Sequence, residues 1–256
     1  MKFSLITVSY NSVLTIEETI NSVLNQSYKN IEYILIDGGS NDGTLDIINR
    51  YKERISTIVI ESDQGIYDAM NKGIEIAKGD IVGILNSDDV YTDENTIEKV
   101  FNEIEATPSL DVYLSDIAFF EGTIYNLKVV RRVRAKYFRP WKLRFGWMPP
   151  HPGMFIKRDV FNKLGNYDLS FKIASDYEFC IRAFWKAEIK YRFLDLCSVY
   201  MREGGISTKN LQSNLIITEE IIKACKKNIF YTNYFFVLSR LPIKLIYKYI
   251  DKIRFK

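Results

Sequence analysis

Three apolar runs in this chain end on aspartate: "IEYILIDGG" at Asp37, "STIVIESD" at Asp63 and "DIVGILNSDD" at Asp88 and Asp89. Carboxylates gathered at one sheet edge can take a proton from a reacting hydroxyl, or hold a hard cation that prefers carboxylate, water and phosphate oxygens. Two adjacent aspartates at the end of a buried strand repel each other, so Asp88 and Asp89 require a positive partner. That partner is either a Lys or Arg in a structural ion-pair cluster, or Mg2+ or Mn2+. Each aspartate taken singly serves equally well as a helix N-cap or turn residue; four at one edge point to a site. The glycines of "DGGSNDGT", at 38, 39 and 43, lack the G-x-G-x-x-G spacing of a dinucleotide fold, and no GxxxxGK[ST] motif is present.

The elements that must carry these aspartates follow from hydrophobic period. "FSLITVSY", "IEYILID", "STIVIESD" and "DIVGILN" read as strands; "TIEETINSVLNQ", "TLDIINRYKER" and "IYDAMNKGIEIAKG" read as helices, the last closed by Gly79 as a C′ residue. Four β-α repeats predict an α/β fold with a mostly parallel sheet, whose ligands bind beyond the carboxyl ends of the strands. After Thr92 a helix, strand-like runs and the helix "SDYEFCIRAFWKAE" follow, and from about residue 208 the pattern is helical. Cys180, Cys197 and Cys225 are odd in number and widely spaced, which fits a reducing cytosol better than a disulfide framework or zinc site. The apolar start at "MKFSLITVSYNS" reads as a first strand rather than a signal peptide, and no run is long enough to span a membrane.

Short motifs in a fixed order resemble family 2 glycosyltransferases, nucleotide-sugar-dependent enzymes of the GT-A (Rossmann-like) fold. They are "TVSYN" at 7–11, "DGGSNDGT" at 37–44, "SDQGIYDAMNKGI" at 62–74, "NSDD" at 86–89, "HPGMFIKRDVF" at 151–161, "SDYEF" at 175–179 and "GGIS" at 204–207. The resemblance implies a catalytic domain over 1–207, with a nucleotide-binding half at 1–92 and an acceptor-side half at 93–207. A helical extension, 208–256, follows. It further implies that Thr7, Val8, Ser9 and Tyr10 line the base pocket, largely through backbone. Asp37 would bond the base or ribose, Asp63 would complete the nucleotide pocket, Asp88 would face the ribose or metal, and Asp89 would hold Mn2+ or Mg2+ on the diphosphate. Asp176 would be the catalytic base of an inverting displacement. Where the family usually carries Glu-Asp, this chain has Ser175-Asp176. From residue type alone Asp176 serves as well as an N-cap. His151, the only histidine, either borders the site or satisfies a loop carbonyl, and Lys72 is expected to be an exposed helix lysine.

Net charge is +3, unevenly spread: Lys226–Lys256 carries eight Lys/Arg against Asp251, and Lys128–Arg144 carries eight Lys/Arg and no acid. Arg240, Lys244, Lys248 and Lys252 recur every four residues opposite Leu241, Leu245, Ile246, Tyr249, Ile250 and Ile253. That pattern suits a cationic amphipathic helix on an anionic membrane, or a helix packed on its own domain. The expected partners are a nucleotide-sugar donor, a saccharide or lipid-linked acceptor, and an anionic membrane surface met through 226–256, placing the chain in the cytoplasm or peripherally on the inner face of the plasma membrane. The block at 128–144 could bind an acceptor diphosphate or lipid headgroups; no module for nucleic acid accompanies it. The expected activity is sugar transfer in surface polysaccharide biosynthesis. A metal-dependent nucleotidyltransferase, or a non-catalytic membrane-surface protein with a degenerate site, are the rival readings.

Overall fold

The computed structural model describes residues 1–124, 126–203, 211–243 and 246. Its first half alternates strands and helices: β1 (Phe3–Ser9), α1 (Ile16–Leu24), β2 (Ile31–Asp37), α2 (Thr44–Arg50), β3 (Thr57–Ile60), α3 (Ile66–Ile76) and β4 (Ile81–Asn86). A short β5 (Val90–Tyr91), α4 (Thr96–Ala106), β6 (Val112–Glu121), β7 (Lys128–Val133), β8 (Met154–Lys157) and α5 (Arg158–Leu164) come next. The described chain closes with α6 (Ser175–Cys180), β9 (Tyr191–Arg202), α7 (Leu211–Lys227) and α8 (Tyr234–Leu238). The described strands form one sheet in the order β3-β2-β1-β4-β8-β6-β9-β5, with β7 pairing β6.

The sheet is parallel where the β-α repeats predict it: β1 pairs β2 and β4, and β2 pairs β3, all parallel. The second half adds β8 antiparallel to both β4 and β6, with β9 parallel to β6. Two reversals restore the original direction, so β6 runs parallel to β4 and its carboxyl end reaches the same edge. The central strands are apolar on both faces because helices cover both. Ile6, Ile34 and Val82 pack under α3 and α6, while Leu5, Leu35 and Leu85 pack against α1, α2 and α4.

Some local expectations shift. α3 ends at Ile76 with Ala77 as its cap, so Gly79 is not its C′ residue. Gly79 lies against β1, where a Cβ would stand 2.5 Å from the Ser4 nitrogen; close backbone approach, not a left-handed cap, demands glycine there. The helix opening at Ser175 is α-helical only to Cys180 and continues as a π-helical segment over Ile181–Lys186.

Of the extension expected over 208–256, the described residues are helical but interrupted between α7 and α8, and they belong to the main core. Ile221, Ile222, Ala224, Cys225, Phe230 and Val237 join the cluster that contains Tyr177 and Phe179. Arg240, expected on a cationic outer face, is 2 % exposed and donates to Thr218 Oγ1 at 3.1 Å, while its Nε has no partner among the described residues. The helix has turned this position inward over Gly146. Lys244, Lys248, Lys252 and the "GGIS" motif lie outside the described residues.

A guanidinium buried without a carboxylate partner carries an uncompensated desolvation cost. Arg240→Met should therefore leave the urea midpoint unchanged or raise it, by up to about 1 kcal/mol. A loss above about 2 kcal/mol would show that the arginine is a needed structural tie.

Candidate active site

Parallel register sets the site. Ser9 stands beside Asp37 across β1–β2, and Val8 beside Asn86 across β1–β4, so three chain segments leave the sheet at one level. Their loops are stitched together. Asn11 donates its backbone N–H to Ser40 Oγ at 2.8 Å and accepts from the Asn41 N–H at 3.0 Å, and Ser12 shares a 2.7 Å hydrogen bond with Ser87. Asp42 accepts from the Val13 N–H at 3.1 Å and from the Thr44 hydroxyl at 2.6 Å.

Asp37 is the clamp of this edge. Its carboxylate is fully buried and accepts from Ser9 Oγ at 2.6 Å, Ser40 Oγ at 2.8 Å, Gly39 N–H at 3.0 Å and Ser40 N–H at 2.7 Å. Four donors fill its acceptor sites, so it holds the loop, and the expected bond to base or ribose finds no exposed oxygen. Thr7 and Val8 likewise lie inside the sheet, paired on both sides, and the Thr7 hydroxyl faces Tyr33 at 3.2 Å. A central strand leaves no backbone edge for a ligand, so of the expected "TVSY" lining only Tyr10 projects, 60 % exposed.

Asp63 lies three residues beyond β3, in the turn before α3, where Oδ1 accepts from the Gly65 N–H at 2.9 Å. Its Oδ2 comes within 2.4 Å of where a Gly38 Cβ would stand, and the Tyr10 ring within 3.3 Å of the same point. Tyr10, Gly38 and Asp63 thus form one wall, and glycine at 38 keeps it open. Lys72, expected to be a plain exposed lysine, instead pairs with Glu61 at 3.0 Å and Asp68 at 3.5 Å and donates to the Ser62 carbonyl at 3.0 Å, bracing the segment that carries Asp63.

At the end of β4, Asp88 is half-buried and Asp89 is buried, 1 % exposed. Asn86 Nδ2 donates to Asp89 Oδ2 at 3.0 Å, and Asn86 Oδ1 is buried with no partner among the described residues. Burial first and Asp88 second hold the Asp89 carboxyl well above the usual carboxylate range, with Asn86 and Arg202 opposing the rise. Arg202 opposes the rise through its backbone N–H and its charge; Glu18 at 2.5 Å and the Gly122 carbonyl at 2.6 Å engage its two terminal nitrogens, and its Nε is buried with no partner among the described residues. A disfavoured carboxylate pair beside an orphaned amide oxygen is a donor set that suits a hard divalent cation. No group of three or more His, Cys, Asp or Glu with metal-binding geometry occurs among the described residues. Asp88 and Asp89 would therefore share such an ion with phosphate and water.

Asp176 sits in the first turn of α6, half-buried, beside α3. Oδ1 accepts from Tyr67 Oη at 3.0 Å and from the Tyr177 N–H at 2.8 Å, and Tyr67 Oη also lies 2.6 Å from the Ile173 carbonyl. Burial raises its carboxyl above the usual value, opposed by His151 and by these hydrogen bonds. His151 packs edge-on against Tyr167 with Nε2 2.8 Å from the Tyr167 hydroxyl; burial lowers its basicity and Asp176 opposes that. The histidine therefore lies at the site edge rather than in a remote loop. Ser175, in place of the family's acid, is buried and donates to the Asp168 carbonyl at 2.9 Å.

Sequence reasoning missed Tyr67, Tyr167 and Glu220. Glu220 on α7 accepts backbone N–H groups from Lys172, Ile173 and Ala174 at 2.7, 2.9 and 2.9 Å, holding the loop that delivers Asp176. No local pattern marks it, because its partners lie nearly fifty residues away.

Asp37→Ala removes four hydrogen bonds to one charge and should cost about 3 kcal/mol in urea melts. Asp63→Ala, with one described hydrogen bond, should cost under about 1 kcal/mol. Equal losses would sink the distinction between clamp and pocket wall.

The family model described as "Glycosyl transferase family 2" matches residues 4–165. A Mycobacterium tuberculosis PGL/p-HBAD biosynthesis glycosyltransferase is 29 % identical over 230 residues, covering 86 % of this chain and 82 % of the relative. An Escherichia coli relative named UDP-Glc:alpha-D-GlcNAc-diphosphoundecaprenol beta-1,3-glucosyltransferase WfaP is 29 % identical over 225 residues, covering 86 % and 85 %. Among solved structures, Staphylococcus aureus TarS 1–349 in complex with UDP-GlcNAc aligns with TM-score 0.67 and 20 % identity, over 88 % of this chain and 66 % of that one. The Pyrobaculum calidifontis mannosyltransferase PcManGT with GDP-Man and Mn2+ aligns with TM-score 0.65 and 17 % identity, over 89 % and 64 %. These structures share the GT-A fold. With its parallel edge, acidic pair and matched motifs, the chain belongs to glycosyl transferase family 2 and is a glycosyltransferase.

Proposed function

We propose that this enzyme transfers a sugar from a UDP-sugar to a hydroxyl of a saccharide or lipid-linked acceptor, with inversion at the anomeric carbon, in surface polysaccharide biosynthesis. The observation that carries the reading is a pair of unlike carboxylate settings at one edge: Asp88–Asp89 at the end of β4, and Asp176 delivered separately by α6. The base stacks on Tyr10 against Gly38 and Asp63, the wall left open at the sheet edge. Asp88 and Asp89 would hold Mn2+ or Mg2+, whose charge would offset that of the leaving diphosphate.

Asp176 takes the proton of the acceptor hydroxyl as that oxygen attacks the anomeric carbon; the bond from that carbon to the donor diphosphate breaks, and its electrons leave with the diphosphate. Tyr67 and the Tyr177 N–H fix the Asp176 oxygen that is not needed for the proton. Burial makes Asp176 a stronger base than an ordinary aspartate, and His151 and Tyr167 close the wall behind it. A nucleotidyltransferase would need no such base on the far side of the edge.

The UDP donor and the lipid-linked acceptor are taken from what the relatives' names state of those proteins. No described helix is long and apolar enough to cross a membrane. An anionic membrane surface is met instead through aromatic side chains: Tyr137, Trp141, Tyr231, Tyr234 and Phe235 are 57, 52, 67, 58 and 80 % exposed. Trp141 packs on Phe145, which stacks near Phe236 with centroids 4.9 Å apart, so the patch is continuous. Lys136 and Lys142 rim it, the arrangement of an interfacial anchor.

Calorimetric titration with UDP should show binding that Mn2+ strengthens and that Asp89→Ala weakens at least tenfold. Asp176→Asn should keep UDP binding and lose about 10^2–10^4 in kcat. The wild-type rate should fall with decreasing pH through a value above the ordinary aspartate range, because the base must be ionised and its folded pKa is raised. No UDP binding with any metal, or full activity in Asp176→Asn, would refute these roles. Separately, phosphatidylglycerol vesicles should pellet the wild type and release a Trp141→Ser, Phe235→Ser double variant; equal pelleting would remove the patch from membrane contact.

A further inference from the structure

The basic block at 128–144 is only partly used by the donor reading. At its centre is a cavity of about 380 Å³ walled by Asp116, Arg132, Arg134, Lys136, Phe193 and Asp195. Its position follows from register. Val82 pairs Ile156, which pairs Val112, so Asp116 stands near the level of Asn86 with only β8 between their strands. At the usual strand spacing that places Asp116 about 10 Å from Asn86 along the sheet edge. Phe193, which lines the cavity, packs against the core cluster that contains Tyr67, Tyr167 and Tyr177. The cavity therefore lies on the sheet face from which α6 presents Asp176.

Its charges are not all alike. Asp116 accepts from Arg132 Nε at 3.0 Å and from the Ala135 N–H at 2.8 Å, so one acid and one base neutralise each other and pin the turn that follows β7. The Arg134 backbone carbonyl accepts from the Tyr137 N–H at 3.4 Å, while its guanidinium has no hydrogen-bond or ion-pair partner among the described residues; Lys136 is exposed, with Nζ 5.6 Å from the centroid of the Tyr137 ring. Asp195, exposed on the opposite wall, is the sole remaining acid lining the cavity. A guanidinium fork and an ammonium converging on a cavity are the usual receptor for phosphate oxygens.

We propose that Arg134 and Lys136 bind the diphosphate of a lipid-linked saccharide acceptor. This assignment rests on the glycosyltransferase reading above. A short saccharide bridges the two positions, its terminal hydroxyl at Asp176 and its reducing-end diphosphate in the cavity. Lys136 is followed at once by Tyr137 and Trp141, so a prenyl chain leaving the cavity passes onto the exposed aromatic patch. The Asp116–Arg132 pair holds the turn, and Arg134 and Lys136 make the contact.

The test uses the full chain saturated with UDP and Mg2+, titrated with farnesyl diphosphate, farnesyl monophosphate and inorganic pyrophosphate. Wild type should bind farnesyl diphosphate alongside UDP, and more tightly than either of the other two. Arg134→Ala should weaken it at least tenfold and Arg134→Glu further, with UDP affinity unchanged, which also reports that both variants are folded. Displacement of farnesyl diphosphate by UDP would overturn the assignment by putting the probe in the donor site. Unchanged affinity in Arg134→Glu would overturn it as well. Pyrophosphate bound as tightly as the farnesyl ester would replace the lipid-linked ligand with a free anion. If wild type binds no UDP, the donor reading fails, and with it the description of this ligand as an acceptor.

Discussion

Parallel register is the constraint on which the rest of this molecule depends. Because β1 pairs β2 and β4 with neighbouring residues at matched heights, the ends of three strands separated by tens of residues become one line. Turns leave that line carrying Tyr10, Gly38 and Asp88–Asp89, with Asp63 just beyond β3. Two antiparallel steps through β8 then return β6 to the same direction, so the acceptor-side half adds its own carboxyl end to the same edge. The basic cavity beside Asp116 exists at that edge for the same geometric reason.

Strength at the edge comes from carboxylates that do no chemistry. Asp37, Asp42 and Glu220 each accept several loop donors, and a charged acceptor holds such donors more firmly than a carbonyl does. Asp89 and Asp176, the carboxylates proposed to act, accept from fewer donors, and burial raises their carboxyls. One residue type therefore serves two purposes, decided by how many donors surround it.

The described residues from 211 onward are tied to the candidate site through packing. Glu220 grips the loop before α6, the Tyr177 hydroxyl contacts both Leu143 and Cys225, and Arg240 lies over Gly146. The boundary at 207 that the family resemblance implies separates this stretch from the catalytic domain, whereas its buried side chains join the same core. The replacement of the family's acid by Ser175 is absorbed locally: its hydroxyl ties Asp168, while the neighbouring Glu178 is occupied by Arg182 and Asn228.

By itself the sequence determined the α/β class, the strands of the first half, the aspartates that follow those strands, and the family. These are written in short-range pattern: a period of two or 3.6, an aspartate ending an apolar run, motifs a few residues long. Only the tertiary structure decided that Asp37 is a clamp, that Thr7 and Val8 are inaccessible, that Lys72 is a brace and that Arg240 is buried. It alone joined Tyr67 to Asp176, 109 residues apart, and Arg202 to Glu18, 184 apart. Whether a polar residue faces a ligand or a neighbour depends on which distant segment packs against it, and no local spacing records that.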